Sequence, residues 1–321
     1  MSINNIISIS GAIGFRILEN KDIGKKIFIF YDDHSTNKYC SNNTNNKLFI
    51  SELFNDILSK TSNISLILEE PFIDKNDKIK VLWEDSEHLL MFRTFYGQII
   101  NKCAKNKICN FFPADIRLAL FDISPDEIIL NISNYNPEFN IIVDNYMKNI
   151  YYLFNLFDIN TNSENYSSVQ LFIKKVFDIY TTSPYYIKLK DIIINFCKKF
   201  IIPNKNLTIF ELIKKYSKTN NFIYQIGFPF KNSNEDNFFD QLDKITSGIM
   251  ELYMTILSLH TSKTNIFIYA GYYHSNNLAY IFETYYNFKI LHDQGNTINI
   301  ENSTNIKNSC ISVNKIHFDN L

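Results

Sequence analysis

The 321-residue chain has almost no net charge and no long hydrophobic run. Its 32 Lys plus Arg against 33 Asp plus Glu leave a formal net charge of −1, which excludes a broad basic surface for nucleic acid or anionic lipid. The longest uncharged stretch, 264–282, carries polar residues at its centre and does not predict a membrane span. The first five residues lack a basic segment followed by an apolar one, so no secretory signal is expected there.

Cysteine is also scarce. The chain has five, an odd number without the spacing of a metal finger, at positions 40, 103, 109, 197 and 310. This pattern predicts free thiols in a reducing compartment. We therefore expect a soluble cytoplasmic protein, in the host cytoplasm if the gene is viral, with neither nucleic acid nor membrane as a partner.

Alanine and glycine are uncommon, whereas Asn and Ile together make up more than a quarter of the residues. The codons for Asn and Ile are AT-rich, which indicates the genome of a large DNA virus or an AT-rich protist. Asn-rich patches therefore carry little functional information, and an Ile-rich helix can resemble a strand.

Short buried strands alternate with helical segments along the chain. The alternation predicts an α/β fold, with a mostly parallel central sheet flanked by helices. Residues 1–120 would form the first part of this core, 121–235 a large helical insertion, and 236–321 the second part of the core. Strands are predicted at 25–31, 64–68, 108–112, 265–270, 288–291 and 312–318, and helices at 48–58, 84–104, 237–260, 275–286 and from Ser124 onward.

Ionisable residues follow four of the predicted strands. In open parallel sheets the carboxyl ends of the strands form the ligand-binding edge, so we expect these residues to lie around one cleft. They are Asp32, Asp33 and His34 after the first strand, Glu69 and Glu70 after the second, Asp115 and Arg117 after the third, and Gly271 and His274 after the last.

This set of residues suits two kinds of hydrolysis. In the first, His34, Glu69 and His274 hold a divalent metal (Zn, Mn or Fe) that carries a water molecule. In the second, a histidine acts as general base and a carboxylate orients it. The catalytic candidates are His34, Glu70, Asp115, Arg117 and His274.

Two further residues have roles in this hypothesis. Arg117 would grip an anionic or carbonyl group of the substrate, and Gly271 would let the backbone approach a bound anionic group. Structural roles remain open for each candidate: either histidine could be a hydrogen-bonded structural residue, Glu69 and Glu70 a solvated strand end, and Asp115 and Arg117 a mutual pair.

The motifs after the four strands resemble those of the erythromycin esterase / ChaN / TraB-type superfamily, which includes hydrolases, metal-dependent proteases and haem-binding proteins. Gly271-Tyr272-Tyr273-His274 matches the Gly-x-x-His motif at a strand end. The family commonly has Gly-Glu-x-His where this chain has Tyr31-Asp32-Asp33-His34, so Asp32 withdraws the carboxylate by one methylene. The resemblance covers roughly 27–120 and 237–291.

The resemblance implies an α/β fold with a helical insertion beside the cleft, His34 facing His274, and Glu69 or Glu70 between them. It favours a hydrolase of a small molecule or peptide. The alternative is a catalytically inactive binding or interaction protein of a large AT-rich DNA virus on the same fold. A dinuclear phosphoesterase is less favoured, because the chain lacks the downstream Gly-Asp and Gly-Asn-His-Glu motifs.

Overall fold

The computed structural model describes part of the chain as two compact units. The first comprises Met1–Glu70, Trp83–Ala114 and Leu257–Leu321, and the second Pro71–Leu82 and Asp115–Ile256. The described residues are 6–32, 40, 46–61, 63–71, 103, 109–117, 120, 156–157, 168–204, 206–207, 211–212, 215–216, 238–295, 297, 310–319 and 321.

Nine strands and six helices are described. The strands are β1 Ile6–Ser10, β2 Gly14–Asn20, β3 Lys25–Asp32, β4 Lys47–Phe49, β5 Ile64–Pro71, β6 Cys109–Asp115, β7 Asn265–Gly271, β8 Lys289–Gly295 and β9 Cys310–Asn314. The helices are α1 Ile50–Lys60, α2 Ser168–Asp178, α3 Pro184–Phe196, α4 Phe238–His260, α5 Tyr272–Tyr286 and α6 Ile316–Asp319.

The larger sheet has six strands in the order β6-β5-β7-β3-β2-β8. Strand β7 pairs in parallel with both β3 and β5, whereas β2 pairs antiparallel with β3 and β8. The prediction of an α/β fold is confirmed, but the sheet is mixed and the prediction of a mostly parallel sheet is wrong. A four-residue turn joins β2 to β3, with Gly24 at a φ of +64°, and so short a connection permits only antiparallel pairing.

The smaller sheet has the order β4-β1-β9. Strand β1 runs parallel to β4 and antiparallel to β9. The edge strand predicted at 312–318 is shorter than expected, because the Asn314 side chain accepts a hydrogen bond from the amide of Ile316 at 3.1 Å and helix α6 begins there.

The central strands are buried on both faces, which explains their uninterrupted apolar sequences. Phe28 of β3 stacks on Phe267 of β7, with ring centroids 4.4 Å apart, and Phe30 lies 4.7 Å from Phe15 of β2. This aromatic layer holds β2, β3 and β7 together at one face of the sheet.

Local sequence sets several helix ends. Helix α3 begins where Ser183 accepts a hydrogen bond from the amide of Tyr186 at 3.3 Å, with Pro184 in the first turn. It continues as a π-helical turn over Cys197–Ile201 and a 3-10 turn over Ile202–Asn204. Helix α5 ends at Asn287, which takes the left-handed conformation with a φ of 56°.

Some predicted elements lie outside the described residues, namely the helix at 84–104 and the one starting at Ser124. Helices α2 and α3 fall within the predicted insertion, 121–235, which stays a prediction as a whole. In the described parts of the chain, no helix is long and apolar enough to cross a bilayer.

Four of the five cysteines form disulfides, so the expectation of free thiols is wrong for them. Cys40 pairs with Cys310 across 270 positions of sequence, and Cys103 pairs with Cys109; Cys197 is a buried free thiol. The spacing of the cysteines in the sequence could not predict the Cys40–Cys310 bond, because this bond depends on β9 lying beside β1. Disulfides are typical of oxidising compartments, so they count against the predicted cytoplasmic location, which stays a prediction.

Candidate functional site

Within the first unit, the structure brings together Glu69 and His274, two predicted site residues that lie far apart in sequence. The Glu69 Oε1 atom is 3.4 Å from His274 Nε2, and the two side chains are 5% and 12% exposed. A carboxylate at this distance can orient an imidazole and stabilise its protonated form. The pair therefore has the parts of a general base and its orienting group.

Strand β5 and helix α5 position the pair. Glu69 lies near the carboxyl end of β5, and its Oε2 atom accepts a hydrogen bond from the amide of Gly271 at 2.6 Å. Gly271 is the last residue of β7 and the N-cap of α5. The carboxylate thus occupies the positive end of the helix dipole, where negative charge is favoured.

The sequence placed Gly271 to His274 in a turn, but the helix begins at Tyr272 and His274 lies in its first turn. The helix start is fixed to the sheet by Ser275, whose hydroxyl donates to the carbonyl of Ala270 at 2.9 Å and lies 3.3 Å from the carbonyl of Phe30. Sequence reasoning missed this anchor. A serine immediately after the histidine was its only signal.

Asp32 and Glu70 are also buried, at 0% and 1% exposure. Asp32 ends β3 and is the register partner of Gly271 on the neighbouring strand. At this edge of the sheet, β3 ends with Asp32, β7 ends with the N-cap of α5, and Glu70 is the residue before the last of β5. This grouping agrees with the rule that the carboxyl ends of parallel strands meet at one edge of a sheet. The chemical roles of the residues stay predictions.

Asp33 and His34 lie outside the described residues, so the predicted apposition of His34 and His274 stays a prediction. Over the described ranges, no group of three or more His, Cys, Asp or Glu side chains is arranged to hold a metal. Glu69 and His274 could supply two ligands to a Zn, Mn or Fe ion, and the predicted metal site needs a third from another part of the chain.

Asp115 and Arg117 belong to the second unit and pair with each other. The Arg117 Nε and Nη2 atoms donate to the two carboxylate oxygens of Asp115, each at 2.8 Å, and the Arg117 amide donates to the same carboxylate at 3.1 Å. This is the mutual pair left open by the sequence. The role of Arg117 in gripping substrate stays a prediction.

Three tyrosines surround the start of α5. The Tyr31 and Tyr272 ring centroids are 5.9 Å apart, and those of Tyr272 and Tyr273 are 5.8 Å apart. Burial raises the pKa of each of the three phenols above its usual value of 10.0. All three are therefore neutral at physiological pH and can donate hydrogen bonds.

A second polar group, which we call the Arg16 cluster, extends from the buried Arg16 toward the surface and comprises Arg16, Tyr31, Tyr272, Glu283 and Asp293. The Arg16 side chain, 8% exposed, donates to Asp293 at 2.7 Å and lies 3.7 Å from Glu283. Its guanidinium carbon is 6.0 Å from the centre of the Tyr31 ring. This cluster was not predicted from the sequence; its signal was an arginine inside the apolar run of β2.

A separate cavity of about 320 Å³ lies at the opposite, amino end of β3 and β7. None of the predicted site residues lines it. Its walls are Glu19, Asn20, Lys21, Gly24, Lys25, Lys26, Thr264 and Asn265.

Comparison with known proteins found no matching family model, no similar curated protein and no similar solved structure. The resemblance to the erythromycin esterase / ChaN / TraB-type superfamily therefore depends on the strand-end motifs alone.

Proposed function

We propose that the protein is a hydrolase in which His274 acts as general base and Glu69 orients the imidazole. One observation carries the proposal: these side chains, 205 positions apart, lie 3.4 Å from each other at the carboxyl edge of the sheet. This edge therefore carries an imidazole and a carboxylate, the two groups that the proposed base catalysis uses.

In the proposed reaction, the Nε2–H of His274 faces Glu69 and the lone pair of the neutral ring is on Nδ1. Nδ1 takes a proton from water, and the oxygen of that water attacks the carbonyl carbon of an ester or amide. The resulting imidazolium is stabilised by Glu69 and returns the proton to the leaving group. Neither residue is consumed, and the products are an acid and an alcohol or amine.

The substrate class is a small-molecule or peptide ester or amide. His34, Glu70, Asp115 and Arg117 retain their predicted catalytic or substrate-holding roles in the proposal, and Gly271 that of the residue nearest a bound anionic group. No step requires a metal, although His34 would complete a ligand set with Glu69 and His274.

A panel of p-nitrophenyl esters and peptide p-nitroanilides tests the proposal with the wild type, His274→Gln and a control, His260→Gln. His260 is exposed at the end of α4. General base catalysis contributes about 10²- to 10⁴-fold, so we expect a loss of that size in His274→Gln and wild-type rates in the control. Metal analysis of the same samples would show whether Zn, Mn or Fe accompanies activity.

One observation favours the alternative, an inactive binding or interaction protein. Both oxygens of Glu69 face groups of the protein, the Gly271 amide and the His274 ring, as a structural helix anchor requires. Absence of hydrolysis across the panel, or equal rates in the wild type and His274→Gln, would overturn the hydrolase proposal and leave this alternative.

A further inference from the structure

Two histidines that play no part in the candidate site lie against each other in the first unit. His292 of β8 and His317 of α6 have ring centroids 4.5 Å apart, with 41° between the ring planes. Both rings also contact Phe15 of β2, at 5.8 and 6.3 Å. The two imidazoles are half-buried, so they pack as aromatic groups rather than project into solvent.

Helix α6 is only four residues long and contacts the sheet through His317 and Phe318. The Phe318 ring is 5.7 Å from Phe15 and 6.3 Å from Phe28, and it is 7% exposed. Ile316, on the same helix, is 52% exposed. The attachment of α6 therefore depends on one buried phenylalanine and one histidine.

The charged groups that act on His317 lower its proton affinity. Among the described residues, the titratable groups that act on His317 are His292 of β8 and Lys26 of β3. Lys26 is 3.7 Å from Glu19 of β2, which partly offsets its charge. Gln294, the other polar neighbour of His292 at 3.1 Å, is neutral. Two protonated imidazoles here would repel each other and Lys26.

Burial lowers the pKa of His317 below 6.5, and the neighbouring His292 and Lys26 lower it further. When α6 detaches, His317 regains its ordinary proton affinity. The detached form therefore binds more protons than the docked form below about pH 6.5, so docking is favoured above that pH and weakens as the pH falls toward the docked pKa.

We infer that the stacked His292–His317 pair is a pH-sensitive latch, which holds α6 and its Phe318 against the sheet at neutral pH and releases them on acidification. Release would uncover the aromatic layer of Phe15, Phe28 and Phe30. Strand β9 would stay in place, because it pairs with β1 and Cys310 is bonded to Cys40.

Hydrogen–deuterium exchange at about pH 7.5 and about pH 5.0, corrected for the intrinsic pH dependence of exchange, tests the latch. The amides of Phe318 and Asp319 donate to the carbonyl of Lys315. In the detached state of α6, His317 has a pKa of about 6.5. Protonation in that state alone increases the population of the detached state at pH 5.0 by up to about thirtyfold. We expect the protection of these two amides to fall at pH 5.0 by no more than this factor, while β3 stays protected.

The variants His292→Gln and His317→Gln should each reduce this acid-induced loss, and the double variant should abolish it. His260→Gln is the matched control and should behave as the wild type. Equal protection at both pH values, an undiminished loss in the double variant, or simultaneous loss of protection in β3 would each overturn the latch.

Discussion

Replacing Glu69 by Gln tests whether its carboxylate anchors the start of α5. In the wild type the Gly271 amide donates to Glu69 Oε2 at 2.6 Å. The glutamine keeps the length of the side chain and an oxygen that can accept this hydrogen bond. It removes the negative charge at the helix N-terminus. The change therefore separates the charge from the shape of the side chain.

The expected cost has two parts. A hydrogen bond to a charged group is worth about 1.5–3 kcal/mol and one between neutral groups about 0.5–1.5, so the exchange loses about 1 kcal/mol. The interaction with the dipole of α5 adds up to about 1 kcal/mol at a buried position such as this one. Glu69→Gln should lower the free energy of unfolding by about 2 kcal/mol.

Urea unfolding followed by circular dichroism measures this difference. Glu52→Gln is a matched control, because Glu52 also accepts a backbone amide hydrogen bond at a helix start, from Phe49 at 2.8 Å, but is exposed. The control should lose about 0.5 kcal/mol or less. Equal losses in the two variants would refute the argument that burial and the helix dipole strengthen the Glu69 contact.

Two further predictions concern the rest of the first unit. In the chain-entropy account, removing the Cys40–Cys310 bond by serine substitution should cost about 5.6 kcal/mol of unfolding free energy, because the bond closes a loop of 270 positions. Removing the Cys103–Cys109 bond, which closes a loop of 6 positions, should cost about 2 kcal/mol. Equal midpoint shifts in urea would contradict this account. Burial raises the pKa of Glu283 above 4.5, so the folded state binds its proton more tightly and stability falls as pH rises through the raised pKa. Glu283→Gln should therefore gain stability relative to the wild type between about pH 4 and pH 7, and a constant difference would be the contrary result.

The elements that local sequence could predict are those with a complete local pattern. Strands β3, β5 and β7 are continuous apolar runs, and α1 and α4 have apolar residues at helical spacing. The pairing of β2 was missed because Arg16 interrupts its apolar run. The burial of Arg16 depends on its ion pairs with Asp293 and Glu283, which lie more than 260 positions away in sequence.

The site was predictable to the extent that it follows from strand ends. Glu69 and His274 each follow an apolar strand, and parallel neighbours bring such ends to one edge. The hydrogen bond from Gly271 to Glu69 was not predictable, since it depends on α5 beginning at Tyr272 rather than after His274. The Cys40–Cys310 bond was equally beyond local reasoning, because only the pairing of β9 with β1 brings its partners together.

A double-mutant cycle on kcat/KM tests the central claim most directly, with a substrate identified in the ester and amide panel. Residues that act as one catalytic unit give strongly non-additive losses. We predict that Glu69→Gln lowers kcat/KM in the presence of His274, and that the double variant is no slower than His274→Gln alone. Losses that multiply, or a Glu69→Gln variant with wild-type kcat/KM, would contradict a joint role of Glu69 and His274.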